Sequence, residues 1–242
     1  MSEGLARDRA SRIASLRSFV AVPLPAAARA AILAAVHGTP PAAGSGLAAR
    51  LPDIRWARRP ENLHVTLKFL GQVDAAKLAR FTEQLAEALR EVPGFDIQLR
   101  GFGAFPSSLD AQVVWVGVDD PAQRLGQVAA IVDEVAARAP LQLAGHSTMS
   151  ALGERPFRAH VTVGRAPRRA RRSPAGDATA TLARAAELAP AADLIFGRVT
   201  VNEICVYESI TGGEASTYIL RGKATLEGAI HGDGQDRDQG RN

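Results

Sequence analysis

The chain has 242 residues, 46% of them hydrophobic, enough to bury a core either as one large domain or as two small packed lobes. No stretch approaches the roughly 18 to 20 uninterrupted apolar residues of a membrane-spanning helix, and the N-terminus lacks the apolar centre of a secretory signal, so the sequence reads as cytoplasmic. A lone cysteine, Cys205, excludes an internal disulfide and a cysteine-based zinc site, while 29 Lys+Arg against 25 Asp+Glu tolerate a polyanionic partner without demanding one.

Residues 1–15 are polar and alanine-rich with no apolar period, and residues 226–242 are rich in Gly, Asp and Gln, so both are expected as disordered tails around a single domain, 16–225. Within it "RSFVAVPL" reads as a strand, and "PAAARAAILAAVHG" as a helix opened by Pro25 and stopped by Gly38. A loop, "TPPAAGSGLAARLPD", leads to a short strand "IRWARR" and then to "NLHVTLKFLG". Leu78, Phe81, Leu85 and Leu89 recur at helical spacing behind Asp74, the expected N-cap. "FDIQLRGFGAF" and "AQVVWVGV" follow as strands, then a helix with Leu125, Val128, Ile131, Val132 and Val135 on one face. "HVTVGRA", "RVTVNEICVYES" and "STYILRGKAT" are the last strands, and Cys205 reads as a small buried side chain in one of them. Adjacent strand pairs separated by single helices argue for an α+β fold with largely antiparallel sheets. Residues 140–156 and 167–190 are out of proportion with that plan and read as surface insertions.

His-Val-Thr occurs twice, at His64-Val65-Thr66 and His160-Val161-Thr162, each time inside a strand. Alternation puts His64, Thr66 and Lys68 on one face and Val65, Leu67 and Phe69 on the other, which must be the core face. His160, Thr162 and Gly164 repeat the first arrangement, so each His-Thr pair stands on an open face, its members about 7 Å apart along the strand. Two imidazoles across a groove supply one neutral base and one protonated acid near neutral pH, and two hydroxyls beside them can donate to an anion. That is equipment for splitting a phosphoester. Zinc sites want at least three protein ligands, which His-x-Thr twice does not supply, so no metal and no cofactor are expected. The G-x-G of "LRGFGAF" continues into a strand, which argues against a phosphate-cradling loop.

With these residues in view, the chain resembles the two-histidine (2H) phosphoesterase superfamily, and within it the LigT-like RNA 2′,3′-cyclic phosphodiesterases. The likeness runs over roughly residues 17–222, through "RSFVAVPLP", "WARRPENLHVTLKFLG", "LRGFGAFPSSLDAQVVWVGV", "FRAHVTVGRA" and "VYESITGGEASTYIL". It implies two pseudo-symmetric lobes of antiparallel sheet and helices around a central cleft, each lobe contributing one motif. It also implies hydrolysis of a terminal 2′,3′-cyclic phosphate on RNA to a 2′-phosphate, and a reversible 2′–5′ RNA ligation. Carried over by motif, His64 is the proton donor to the leaving oxygen, His160 the proton acceptor from water, and Thr66, Thr162 and Arg165 hold phosphate oxygens. Strict alternation points Arg165 away from His160, so a twist after Gly164 is needed to bring it round. Lys68 reads equally as a site or a solvent cation, Phe69 as core, and Phe19 and Trp115 as core residues or base-stacking ones.

The partner expected is RNA ending in a cyclic phosphate, bound by a monomer with no membrane contact. Arg168, Arg169, Arg171 and Arg172 read as a solvated loop or a phosphate-facing surface, and His146, His37 and His231 as bystanders. Two rival functions stay open: the same site acting on a small cyclic nucleotide, and an inactive RNA-binding module.

Overall fold

The computed structural model describes residues 15–39, 46–106, 111–139, 141, 157–166, 193–212 and 216–228. Strand β1 is Ser15–Pro23, helix α1 Ala26–His37, the single turn α2 Leu47–Arg50, and β2 only Arg55–Trp56. A 3-10 turn at Pro60–Asn62 leads into β3, His64–Asp74, and α3, Ala75–Leu89. Strands β4, Phe95–Pro106, and β5, Ala111–Asp119, precede α4, Arg124–Arg138. Then come β6, His160–Arg165; β7, Ile195–Val201; β8, Glu203–Ile210; and β9, Thr217–Thr225.

Local chemistry accounts for most of these boundaries. Asp74 caps α3 as expected, one carboxylate oxygen accepting from the N–H groups of Ala76 (2.9 Å) and Lys77 (3.1 Å). Asp120 does the same for α4, although Gln123 occupies the cap position itself. Three readings need correction. The loop before β2 contains α2, whose Leu47 is buried; "IRWARR" keeps only two strand residues; and "RVTVNEICVYES" is two strands broken at Asn202. Residues 226–228, expected in the C-terminal tail, are held by the fold. Leu226 is buried, and the N–H groups of Glu227 and Gly228 donate to the carbonyls of Arg90 and Val92, backbone bonds that need no apolar pattern.

Among the described residues all strands join one antiparallel sheet in the order β7-β4-β5-β6-β3-β1-β8-β9, with β2 beside β6. The order is symmetric about the β3–β6 seam: each motif strand is innermost and three further strands follow on each side. The two lobes are therefore halves of a single α+β sheet. Asn202 alone links β7, at one end of that order, to β8 near the other. A one-residue link forces the two ends together, so the sheet curls. Alternate strand residues and the apolar stripes of α1, α3 and α4 fill one core, which includes Val65, Leu67, Val161 and Val163. Phe19 is buried yet lies outside that cluster, an early sign that the opposite face has its own packing.

The expected insertions at 140–156 and 167–190, with His146, Arg168, Arg169, Arg171 and Arg172, lie outside the described residues except for Leu141. So do His231 and residues 1–14.

Candidate active site

The seam places the two motifs together. Strands β3 and β6 run antiparallel with Val65 opposite Val161, a register that sets His64 level with Thr162 and Thr66 level with His160. Val65 and Val161 are fully buried, so the flanking histidines and threonines occupy the other face.

Both rings are oriented by the backbone two residues upstream. His160 Nδ1 donates to the Arg158 carbonyl at 2.7 Å, and the His64 ring is hydrogen-bonded to the Asn62 backbone. A committed Nδ1–H leaves Nε2 as the working nitrogen of His160. Each imidazole is also walled by aromatic rings. Around His64 stand Phe19 (4.9 Å), Tyr218 edge-on (5.3 Å) and Tyr207 (6.5 Å). Around His160 stand Phe105 edge-on (5.0 Å) and Trp115 (6.5 Å). This enclosure lowers both pKa values through desolvation, His64 to about 4, and the Arg165 guanidinium lowers both further. Among the described residues the charged groups that act on the two imidazoles are Arg165, Arg158 and the histidines themselves, a cationic setting suited to an anion. Among the described residues no cluster of three His, Cys, Asp or Glu side chains forms.

Bulges complete the site. In β6 Trp115 faces Thr162 and Val114 faces Gly164, so Val163 is an extra residue. The extra residue restores Arg165, opposite Val113, to the face of Thr162. The twist needed for Arg165 thus exists, one residue earlier than expected. Leu67 is the matching extra residue in β3, between the Thr66–Ala21 and Lys68–Val20 pairs. It turns Lys68 toward α4, where its ammonium bonds the Asp133 carboxylate, and turns Phe69 to the open face beside Phe19 at 6.0 Å. Phe69 is 45% exposed instead of core, and Lys68 leaves the face of His64 and Thr66 on which strict alternation put it.

Comparisons with known proteins give the family. Residues 42–115 match the model of the LigT like Phosphoesterase family. The RNA 2′,3′-cyclic phosphodiesterase of Escherichia coli K12 is 35% identical over 149 residues, which are 61% of this chain and 70% of that protein. The chain belongs to the LigT-like phosphoesterase family. A protein of the same name from Archaeoglobus fulgidus is 37% identical over 116 residues, 47% of this chain, and the match spans 57% of that relative's length. In the crystal structure of E. coli LigT complexed with 3′-AMP, the likeness covers 88% of this chain and 98% of that one, with a TM-score of 0.60 and 26% identity.

On the LigT-like scaffold the five sequence-derived residues, His64, His160, Thr66, Thr162 and Arg165, converge at the seam. Tyr218, Tyr207 and Phe105 escaped the sequence reading. Tyr218 sits 154 positions (218 − 64) from the histidine it touches, and no local pattern announces that contact. The Asn62 amide ties this wall down by donating to the Ser216 carbonyl at 3.0 Å. His37 is a bystander, with Nε2 on the Ala57 carbonyl at 2.7 Å, and Cys205 is buried in β8.

Proposed function

We propose that the chain hydrolyses the 2′,3′-cyclic phosphate at the end of an RNA to a 2′-phosphomonoester, with His64 as proton donor and His160 as proton acceptor. The observation that carries this reading is the seam itself: two backbone-oriented imidazoles, two threonines and one arginine converge on a single cationic face. Relatives bearing the name RNA 2′,3′-cyclic phosphodiesterase, and a crystal structure of E. coli LigT complexed with 3′-AMP, support it.

In the reaction water attacks phosphorus and loses a proton to His160, the P–O3′ bond breaks, and O3′ leaves with a proton from His64. Thr66, Thr162 and Arg165 hold the non-bridging oxygens, where negative charge increases in the transition state. Without substrate both imidazoles are neutral at pH 7, because burial and Arg165 disfavour a further positive charge. The phosphate anion reverses that bias and lets the pair hold the one proton that catalysis needs. Phe69 offers an exposed ring beside the phosphate position, on which the terminal base stacks. The same ring opening, with the 5′-hydroxyl of a second RNA attacking phosphorus in place of water, leaves a 2′–5′ phosphodiester and gives the ligation.

The test is an oligoribonucleotide with a 2′,3′-cyclic end, incubated with the full chain and followed by mass and by phosphatase sensitivity. A gain of one water with a 2′-monophosphate product is expected. A 3′-monophosphate, or binding without turnover, would reject the proposal.

A further inference from the structure

The pseudo-symmetry makes differences between the lobes informative. Asn62 and Arg158 occupy the same place, two residues before each histidine, and both accept the histidine's hydrogen bond through the backbone. Their side chains differ in kind. The Asn62 amide is spent on the Ser216 carbonyl, whereas Arg158 is exposed, with its guanidinium carbon 5.2 Å from the Phe105 ring centre and 5.8 Å from that of Trp115. Among the described residues no carboxylate pairs with Arg158. A cation resting over two rings loses little further freedom on binding an anion.

Arg158 lies on the His160 side of the seam. Arg165 acts on both imidazoles and on Tyr218, as expected of a group at the seam, while of the two imidazoles Arg158 acts on His160 alone. Two residues of extended chain place it about 7 Å beyond His160 on the lobe formed by β6, β5, β4 and β7. The base-stacking face of Phe69 lies on the other lobe. A substrate spanning the cleft therefore meets an aromatic surface on one side and the Arg158 cation on the other.

We propose that Arg158 forms a second phosphate subsite, which takes the phosphodiester joining the terminal nucleotide to the rest of an RNA chain. The proposal rests on the phosphodiesterase reading above and deepens it: it makes the enzyme prefer an oligonucleotide end to a free cyclic mononucleotide.

The experiment compares a cyclic mononucleotide, adenosine 2′,3′-cyclic phosphate, with the dinucleotide ApA ending in the same cyclic phosphate. Arg158→Gln should raise KM for the dinucleotide roughly tenfold more than for the mononucleotide, the usual weight of one charge-assisted contact. Arg158→Lys, which keeps the charge and loses the fork, should fall between. The salt dependence of the dinucleotide KM should also lose about 0.7 of log–log slope in Arg158→Gln, one released counterion on a single strand. Equal losses on both substrates with a shifted pH profile would mean that Arg158 serves only the surroundings of His160, and the subsite is then refuted. Unchanged kinetics on both would refute it as well. If the unmodified protein turns over neither substrate, it is the phosphodiesterase reading that fails.

Discussion

At the scale of single residues, the site is a conflict between burial and charge. In the proposed mechanism His64 and His160 share one proton during turnover, yet desolvation and Arg165 push both toward neutrality. Replacing either histidine with Ala should slow turnover about 10²–10⁴-fold, the weight of a positioned acid or base, with circular dichroism unchanged. The pH profiles should separate as well. The kcat/KM optimum, which reports the free enzyme, should lie below pH 6.5, because the imidazole pKa values are lowered and His64 is held at about 4. The kcat optimum should lie higher, because bound phosphate raises both values; coincident optima would contradict the anion-loading argument. Phe69 is a different case, since the proposed mechanism gives it a base to stack on and no reacting atom. Phe69→Ala should raise KM several-fold with kcat nearly unchanged, the pattern of uniform binding, in steady-state assays on the cyclic mononucleotide.

At the scale of elements, the hairpin of β4 and β5 carries the wall behind His160. The glycines of "RGFG" have packing reasons there. Gly101 is the unpaired residue of a bulge, with φ 62, and its N–H donates to the Leu194 carbonyl at 2.7 Å. Gly103 lies opposite Trp115, and a Cβ on it would come within 2.3 Å of the indole. The indole lies flat on the strand because that side chain is absent. Gly103→Ala should therefore tilt Trp115 away from His160 and Arg158 and cost about 1–3 kcal/mol, the range for overpacking a filled site. Urea unfolding measures the cost, and tryptophan fluorescence reports the moved ring. A normal midpoint and spectrum would show that the hairpin yields elsewhere.

At the scale of the whole molecule, a curled sheet buries its motif strands in the middle and opens one face, so function and stability meet in the same two strands. His64 shows the consequence. Its folded pKa, about 4, lies below its unfolded value, so the unfolded chain binds the proton more readily between those values. Stability should fall as pH drops from about 6.5 toward 4, and His64→Gln should flatten that part of the curve. Urea midpoints at pH 7, 6, 5 and 4 measure it. Inorganic phosphate, as a bound anion, should reduce the acid loss in the unsubstituted protein and not in His160→Ala.

Much of this molecule was determined by its sequence alone. Helix positions follow from apolar spacing and from Asp74, and the His-Thr pairs follow from strand alternation backed by buried Val65 and Val161, because period and capping are local properties. The family resemblance added the pairing of the two motifs. What only the tertiary structure decided begins where a partner strand sets the count. Leu67 and Val163 each became extra residues because β1 and β5 skip them, and those two skips sent Lys68 to Asp133 and brought Phe69 and Arg165 to the cleft. A bulge is defined by the neighbour's register, so no pattern within one strand reveals it. The same holds for Tyr218 against His64 and for Arg158 on Phe105 and Trp115: each contact joins segments far apart in the chain, brought together by the curl of the sheet.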